Sequence, residues 1–289
     1  MVNRIETVVI FRRLISLAPS SPTKNLMSVH PLAHGEPVRV PPALSKDAIE
    51  RCSLLASDVW KVSVARRPQR RVENKYGNRA NLISGSFARM HSTREYIQYA
   101  LYKFALYDCL GLSISHRFRL PQGSLVFDLG AGQSHAGALL IDRLLKHLPL
   151  FTLGIDVFFC DDDSIVPVSS QMNRIISDLS TTKSLIPLRS ACADVIVSVS
   201  FLQWLFVEPA NAPLLVRRFV SELSRLLIAP QNTHSGQCVI QFYPSSGWDL
   251  DLLGQSLANA QPKLTGCCIL SRPLENRGVK VFFYVTRTE

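Results

Sequence analysis

The chain has 289 residues, a hydrophobic content of 47% and a formal net charge of +10. This length accommodates one large α/β domain with extensions, or two small domains. No apolar run reaches the roughly 18 to 20 residues that a transmembrane helix needs. The seven cysteines form neither a C-x-x-C pair nor a zinc-ligand pattern with histidine. A disulfide framework and a structural zinc site are therefore not expected, and a reducing compartment is.

The positive charge is concentrated in the first part of the chain. Residues 1–120 contain 19 Lys and Arg against 8 Asp and Glu, whereas residues 121–289 contain 13 against 14. A near-neutral domain behind a basic portion predicts a polyanionic partner, which the basic portion attracts while the neutral domain carries the chemistry. A basic arm that only improves solubility is the alternative.

Residues 1–45 are predicted to be a poorly ordered extension and linker, because the stretch from Pro19 to Pro42 is rich in proline and has no hydrophobic period. The first 18 residues form a basic, amphipathic-looking segment. An organelle transit peptide is one interpretation of this segment, although Glu6 and the scarcity of early serines argue against it.

Residues 46–90 are predicted to be a basic N-terminal segment. Between Leu44 and Val64 the pattern favours a short helix. The overlapping stretch from Lys61 to Arg79 has seven basic residues against the single acidic Glu73. Such a stretch suits phosphate contacts and base stacking, and a solvated charged surface is the alternative interpretation.

The main domain is predicted over residues 91–289 and begins with a helix from Ser92 to Leu112. Apolar and aromatic side chains recur along this helix at helical spacing. They are Tyr96, Tyr99, Ala100, Phe104, Leu106 and Tyr107. We expect this face to pack on the domain rather than to contact a ligand.

The segment SLVFDLGAGQSHAG, from Ser124 to Gly137, predicts a buried strand, a glycine-rich turn and the start of a helix. Glycines between a strand and a helix N-terminus are typical of nucleotide-type sites in parallel α/β sheets. A dinucleotide fingerprint that begins at Gly130 would need glycine at position 135, where His135 stands, so NAD is disfavoured. A glycine-rich turn without a ligand is the alternative.

Two acidic residues indicate another ligand. Asp128 precedes Gly130 and Gly132, and its carboxylate would repel a pyrophosphate but can accept hydrogen bonds from an ammonium group such as that of S-adenosylmethionine. Asp156 lies 26 positions after Gly130, at the predicted end of the next strand. A carboxylate there can bind both hydroxyls of a ribose.

The remaining elements alternate along the chain until the last two strands. Strands are predicted at Phe151–Asp156, from Met172 to near Asp178, at Asp194–Ser200, at Gln237–Pro244 and in GCCILSR and VKVFFYVT, with helices over 212–228 and about 248–260. The crossover after the second strand contains Asp161, Asp162, Asp163 and Pro167, and its weak periodicity predicts a short helix or a loop. Metal binding there is disfavoured because adjacent carboxylates point in alternate directions.

Residues just beyond the strand ends are the candidates for ligand contacts. Gln203 and Trp204 follow the fourth strand, where side chains line the crevice next to a cofactor, and a core position is the alternative for Trp204. Asp178 follows the third strand and can accept the amino group of an adenine, with a loop-capping role as the alternative.

Several blocks together resemble, in order and spacing, the eukaryotic small-subunit (18S) rRNA guanine-N7 methyltransferases of the yeast bud-site-selection type. The blocks are DLGAGQSHAG, GID, the stretch from IPL to ADVIVSVSFLQWLF, CVIQFYP and VKVFFYVT. The S-x-x-Q-W-L after the fourth strand and the Q-x-Y-P that ends the fifth are the more specific motifs. The resemblance covers roughly residues 91 to 287.

The resemblance implies a class I methyltransferase fold, which is a seven-stranded Rossmann-like α/β sheet, mostly parallel with an antiparallel last strand, flanked by helices. It implies S-adenosyl-L-methionine as the methyl donor and small-subunit rRNA in the pre-ribosome as the substrate. It also implies a heterodimer with a small zinc-binding methyltransferase activator protein, a role in ribosome biogenesis, and a location in the nucleolus and cytoplasm.

The resemblance also assigns roles to residues. The cofactor positions are Asp128, Gly130 and Gly132 for the methionine end, Asp156 for the ribose, Asp178 for the adenine, and Ser200 at the end of the fourth strand. Trp204 and Tyr243 would face the guanine pocket, and Gln203, a candidate substrate contact from its place after the fourth strand, completes the candidate substrate pocket. No general base is expected, because guanine N7 already carries a lone pair and catalysis then depends on positioning and electrostatics.

The chain departs from the family pattern at three places. Ser134 stands where the family has a third glycine, the crossover after the second strand is acidic, and basic residues lie near the N-terminus rather than after the last strand. We therefore expect the stretch from Lys61 to Arg79 to hold the rRNA. Two alternatives stay open: a ribosome-assembly scaffold that binds the donor poorly, and a methyltransferase with a small-molecule or protein substrate.

Overall fold

A computed structural model of the chain describes residues 27–44, 46, 49–64, 91–113, 120–132, 136–156, 172–179, 186–231, 234–274 and 277–289. The strands of the described residues form one sheet of nine, in the order β2-β1-β8-β9-β7-β6-β3-β4-β5. Their bounds are β1 Met27–His30, β2 Ile49–Arg51, β3 Ser124–Leu129, β4 Leu150–Asp156, β5 Met172–Ile176, β6 Val195–Val199, β7 Gln237–Phe242, β8 Leu264–Ser271 and β9 Lys280–Arg287.

Helices cover both faces of the sheet. They are α1 Ala56–Val64, α2 His91–Lys103, α3 Ala136–Leu145, α4 Ala212–Leu226 and α5 Gly247–Ala258. Helix α2 continues as a π-helical turn over Phe104–Cys109, and a 3-10 helix over Leu202–Phe206 follows β6. Within the described part of the chain, no helix is both long enough and apolar enough to span a bilayer.

The sheet has the predicted α/β topology. Strands β5, β4, β3, β6 and β7 are parallel neighbours, whereas β9 is antiparallel to both β7 and β8. This confirms the predicted Rossmann-like α/β sheet, mostly parallel with an antiparallel last strand and flanked by helices. The order reverses between β3 and β6, and in such sheets ligands bind outside the carboxyl ends of the strands at that switch point.

Two N-terminal strands extend the predicted seven-stranded sheet to nine. β1 pairs antiparallel with β8, with Ser28 opposite Leu270, and β2 pairs parallel with β1. The linker prediction is therefore wrong for Met27–His30, all four of which are buried. The predicted helix between Leu44 and Val64 begins only at Ala56, because Ile49–Arg51 is used to continue the sheet.

The core has two layers, one on each face of the sheet. Successive residues of a strand point to opposite faces, so Ile196 packs with α4 and α5 residues while Val195 and Val197 pack with residues of α2 and α3. The predicted packing role of the aromatic helix is confirmed for Phe104, whose ring lies 4.6 Å from that of Phe282. Tyr96 does not join the core, since 64% of its surface is exposed.

An arginine on α4 fixes the segment that leads into β6. Arg225 donates to the backbone carbonyls of Leu188 at 2.7 Å and Ile186 at 3.1 Å, and to the carboxylate of Glu222 at 2.8 Å. Glu222 in turn accepts the backbone N–H of Ile186 at 3.1 Å. These contacts fix the segment that precedes β6. They therefore help to determine the position of Ser200, which follows the carboxyl end of that strand.

Candidate cofactor-binding site

The glycine-rich turn after β3 lies over the end of β4. Gly130 and Gly132 have φ angles of +81° and +80°, a region that glycine adopts without the steric cost that a Cβ adds. The backbone N–H groups of Gly130 and Ala131 donate to the carbonyl of Ile155 at 2.8 and 3.2 Å, and that of Gly137 donates to Ala131 at 3.0 Å. The turn is thus held between β4 and the start of α3.

The two glycines of this turn are constrained differently. A Cβ on Gly130 would lie 2.4 Å from Cβ and Cγ of Phe201, whereas a Cβ on Gly132 would meet nothing within 4 Å. Phe201 follows β6, so the tip of β6 packs directly beneath the turn. Gly130 is therefore required by both its backbone conformation and its packing, and Gly132 by its conformation alone.

Asp128 is buried completely beneath α2. The Tyr102 hydroxyl lies 3.0 and 2.9 Å from the two carboxyl oxygens and donates its hydrogen bond there. A Cβ on Gly137 would lie 2.0 Å from Oδ2, so the carboxyl group fills the space that this glycine leaves. Burial raises the pKa of Asp128 to about 8, an effect that the Tyr102 hydrogen bond partly offsets and nearby Asp156 reinforces. Burial therefore favours the protonated form of Asp128.

Asp156 lies beside Asp128 at the end of the neighbouring strand. Its Oδ2 accepts the backbone N–H of Gly132 at 2.8 Å, and its side chain is largely buried. The backbone N–H of Ser177 donates to the carbonyl of Asp156 at 2.9 Å, which places the half-buried Asp178 at the same edge of the sheet. The structure therefore brings Asp128 and Asp156 together and places Asp178 at the same edge of the sheet.

Ser200 forms a strained corner at the end of β6. Its φ of +59° is unusual for a residue other than glycine. The backbone N–H donates to the carbonyl of Gln241 at 2.9 Å and the hydroxyl donates to Oε1 of the same residue at 3.1 Å. Gln98 of α2 donates to the hydroxyl at 3.1 Å. These contacts join α2, β6 and β7 at the carboxyl edge.

Sequence reasoning missed the residues of α2 and β7 that reach this edge. Gln98 and Tyr102 are four positions apart on α2, and that spacing places them on one helix face, a signal that the sequence contains. Nothing in the spacing indicates that this face, rather than the aromatic one, lies over the glycine-rich turn.

Gln203 is the best-placed substrate candidate. Its side chain is 3% exposed and its Nε2 donates to the backbone carbonyl of Ser200. Its Oε1 is buried and has no hydrogen-bond partner among the described residues. An unsatisfied buried acceptor costs about 1–3 kcal/mol, and a donor group on a bound molecule would remove that cost.

Trp204 and Tyr243 lie after neighbouring strands and are both half-buried. The backbone N–H of Trp204 donates to the carbonyl of Phe201 at 3.0 Å, which fixes it in the 3-10 helix after β6. Tyr243 follows β7, and Nζ of Lys280 lies 4.9 Å from its ring centroid. The predicted pocket residues therefore follow β6 and β7, at the same edge of the sheet as the acids at the carboxyl ends of β3, β4 and β5.

Three sequence predictions fall outside the described residues: the missing third glycine at Ser134, the acidic crossover at Asp161–Asp163 and the basic stretch beyond Val64 up to Arg79. Within the described residues, no group of His, Cys, Asp and Glu could hold a metal ion. The six described cysteines are free thiols.

No protein-family model and no curated protein sequence matches the chain. Similar solved structures include the selenomethionine-substituted CurJ carbon methyltransferase, at 12% identity over 81% of this chain and 65% of that one, with a TM-score of 0.45. Another is a TehB-like SAM-dependent methyltransferase from Corynebacterium glutamicum, at 14% identity over 73% of this chain and all of that one, with a TM-score of 0.41.

A third similar structure is a Haloferax volcanii complex that contains the Trm112 methyltransferase activator. It matches at 11% identity over 68% of this chain and 95% of that one, with a TM-score of 0.42. The chain spans 65% of the length of CurJ and 57% of that of DszA carbon methyltransferase, another structural match. At these identities the likenesses concern the fold alone.

Proposed function

We propose that the protein is an S-adenosylmethionine-dependent methyltransferase that modifies guanine N7 in small-subunit rRNA. One observation carries the cofactor assignment: Asp128 and Asp156 end adjacent parallel strands on either side of a glycine turn with positive φ, at the switch point of the sheet. Carboxylates suit a ligand with an ammonium group and ribose hydroxyls and disfavour one with a pyrophosphate.

Each acid has a place in this proposal. Asp156 accepts the ribose hydroxyls, and its bond from the Gly132 N–H holds the carboxylate in position. Asp178 accepts the adenine amino group. Asp128 faces the methionine end once its proton is lost, because only the ionised carboxyl attracts an ammonium strongly. Ser200 closes the site from the side of β6.

S-adenosylmethionine supplies, when bound, a methyl group on a positively charged sulfur. The lone pair of guanine N7 forms the new N–CH3 bond as the S–CH3 bond breaks, so no protein group has to remove a proton. The residues after β6 and β7 then need only hold the base in line, which suits two half-buried aromatic rings, Trp204 and Tyr243. We assign the buried Oε1 of Gln203, which has no hydrogen-bond partner among the described residues, to an N–H of the base.

The choice of rRNA rests on the sequence resemblance and on the basic first part of the chain. A partner is supported by the outer edge of the sheet. Among the strands of the described residues, β5 is the last on its side of the sheet; Ile176 on β5 is 57% exposed and Phe151 on the adjacent β4 is 49% exposed. Unpaired edge strands with apolar side chains invite another chain, and we propose the small zinc-binding activator as that chain.

A scaffold with weak donor binding is the second candidate, favoured by the burial of Asp128 beneath Tyr102. Titration calorimetry of the full chain with the activator distinguishes the two. An enzyme gives saturable heat with S-adenosylmethionine that Asp156→Ala abolishes, whereas Asp251→Ala, a control on α5, leaves the heat unchanged. Absence of heat with the unmodified chain would favour the scaffold.

The substrate requires its own experiment. N7-methylguanine in small-subunit rRNA is mapped by reduction and strand cleavage in cells that carry the unmodified chain or Asp156→Ala. Loss of one cleavage site in the variant supports the rRNA assignment. Donor binding with an unchanged cleavage pattern would point to a small-molecule or protein substrate.

A further inference from the structure

The direction of β9 places Lys280 at the carboxyl edge of the sheet, where the candidate site lies. Because β9 runs antiparallel to β7, its first residue lies at the edge where β7 ends. The register pairs Phe242 with Val281, so the next step places Tyr243 opposite Lys280. The Lys280 Nζ lies 4.9 Å from the Tyr243 ring centroid, a distance at which the ring quadrupole attracts an ammonium.

Charged residues lie at both ends of this carboxyl edge. Asp128 and Asp156 end β3 and β4, while Lys280 begins β9, three strands beyond β3 in the sheet. At about 4.8 Å per strand, the ammonium lies roughly 15 Å from the end of β3. The end with Asp128 and Asp156 suits a cationic donor. At the other end the carboxylate of Asp249 accepts hydrogen bonds from Ser245 and Ser246, and Lys280 adds a positive charge that suits an anion.

An aromatic surface with a cation beside it is how proteins bind single-stranded nucleic acid, because the ring stacks on a base and the cation neutralises the backbone. The half-buried Lys280 is restrained by the tyrosine ring, so little side-chain freedom remains to be lost when an anion binds.

We infer that Lys280, whose ammonium lies over the ring of Tyr243, binds a backbone phosphate next to the target nucleotide. The inference rests on the proposed function and sharpens it, since it selects a nucleotide within a polyanion over a small neutral substrate. Lys280 is a specificity residue in this view and takes no part in the methyl transfer itself.

The test compares Lys280→Met, which removes the charge, with Lys280→Arg, which keeps it. The probe is a short single-stranded RNA with one guanosine, and its dissociation constant is measured over a range of salt concentrations. Each phosphate contact contributes about 0.7 to the slope of log K against log salt for single strands. We expect Lys280→Met to lower the slope by about 0.7 and Lys280→Arg to keep it. Equal unfolding midpoints for the variants and the unmodified chain exclude a folding defect.

The same preparations are titrated with S-adenosylmethionine, whose affinity should be unchanged in Lys280→Met. Donor binding with an RNA salt slope that Lys280→Met does not alter overturns the inference and leaves the methyltransferase proposal intact. Donor binding without RNA binding by the unmodified chain also overturns it. Loss of the methyltransferase proposal itself shows as absence of donor heat in the unmodified chain.

Discussion

Replacing Asp128 by asparagine should change how the stability of the protein depends on pH. The ordinary pKa of an aspartic acid is 3.8, and burial raises that of Asp128 to about 8 in the native state. Between these values the native state holds a proton that the unfolded state has lost. The free energy of unfolding therefore falls as pH rises through this window, by about 1.4 kcal/mol per pH unit from this group.

Asparagine at position 128 keeps an acceptor for the Tyr102 hydroxyl and has no proton to lose. The stability of wild type relative to Asp128→Asn should therefore fall by about 3 kcal/mol between pH 5 and pH 7. Urea unfolding at several pH values measures this difference, and titrations elsewhere in the chain cancel because both proteins contain them.

A stability difference between wild type and Asp128→Asn that stays constant from pH 5 to pH 7 would refute the reasoning. It would mean that Asp128 is already ionised in the native state. Tyr102→Phe keeps the carboxyl group of Asp128 and changes its pKa instead. The Tyr102 hydrogen bond lowers the pKa of Asp128, so its removal should extend the decline in stability to higher pH.

Four further substitutions test the glycine-rich turn and the helices α4 and α5. Gly130→Ala should lower the free energy of unfolding by at least about 2 kcal/mol and abolish donor binding, because the added Cβ meets the ring of Phe201. Gly132→Ala should lower it by only about 1 kcal/mol, through backbone strain. Urea unfolding measures the stability of both variants, and calorimetry measures their donor binding. Arg225→Met should cost about 3 kcal/mol, measured by urea unfolding, because it leaves the buried Glu222 carboxylate without its charged partner. Ser246→Ala should lower the thermal midpoint through a loss of about 1 kcal/mol, since Ser246 forms a capping box at α5.

The central strands were predictable because they are buried on both faces and therefore form continuous apolar runs. β1 was not, although Met27, Ser28, Val29 and His30 alternate as a strand requires. Four residues beside prolines carry too weak a pattern, and the partner that completes the strand, β8, lies more than 200 positions later. The long-range pairing, rather than the local sequence, determines that this segment is a strand.

The candidate site also has a part that the sequence could predict and a part that it could not. Residues at the ends of parallel strands could be predicted, since the topology brings all those ends to one edge. Contacts made by α2 could not, because Tyr102 reaches Asp128 across 26 positions and Gln98 reaches Ser200 across 102. Which face of α2 covers the edge depends on how the helix crosses the sheet, and that is set by packing with α3 and the strands below.

The backbone corner at Ser200 explains why Gly130 is the most constrained residue of the glycine-rich turn. The left-handed conformation of Ser200 costs on the order of 1–3 kcal/mol, and hydrogen bonds from Gln98 and to Gln241 hold it. The corner turns the chain so that Phe201 enters beneath the turn and Gln203 follows at the edge. A glycine at 130 is then needed to admit the ring. The proposed donor binding therefore depends first on the contact between Phe201 and Gly130.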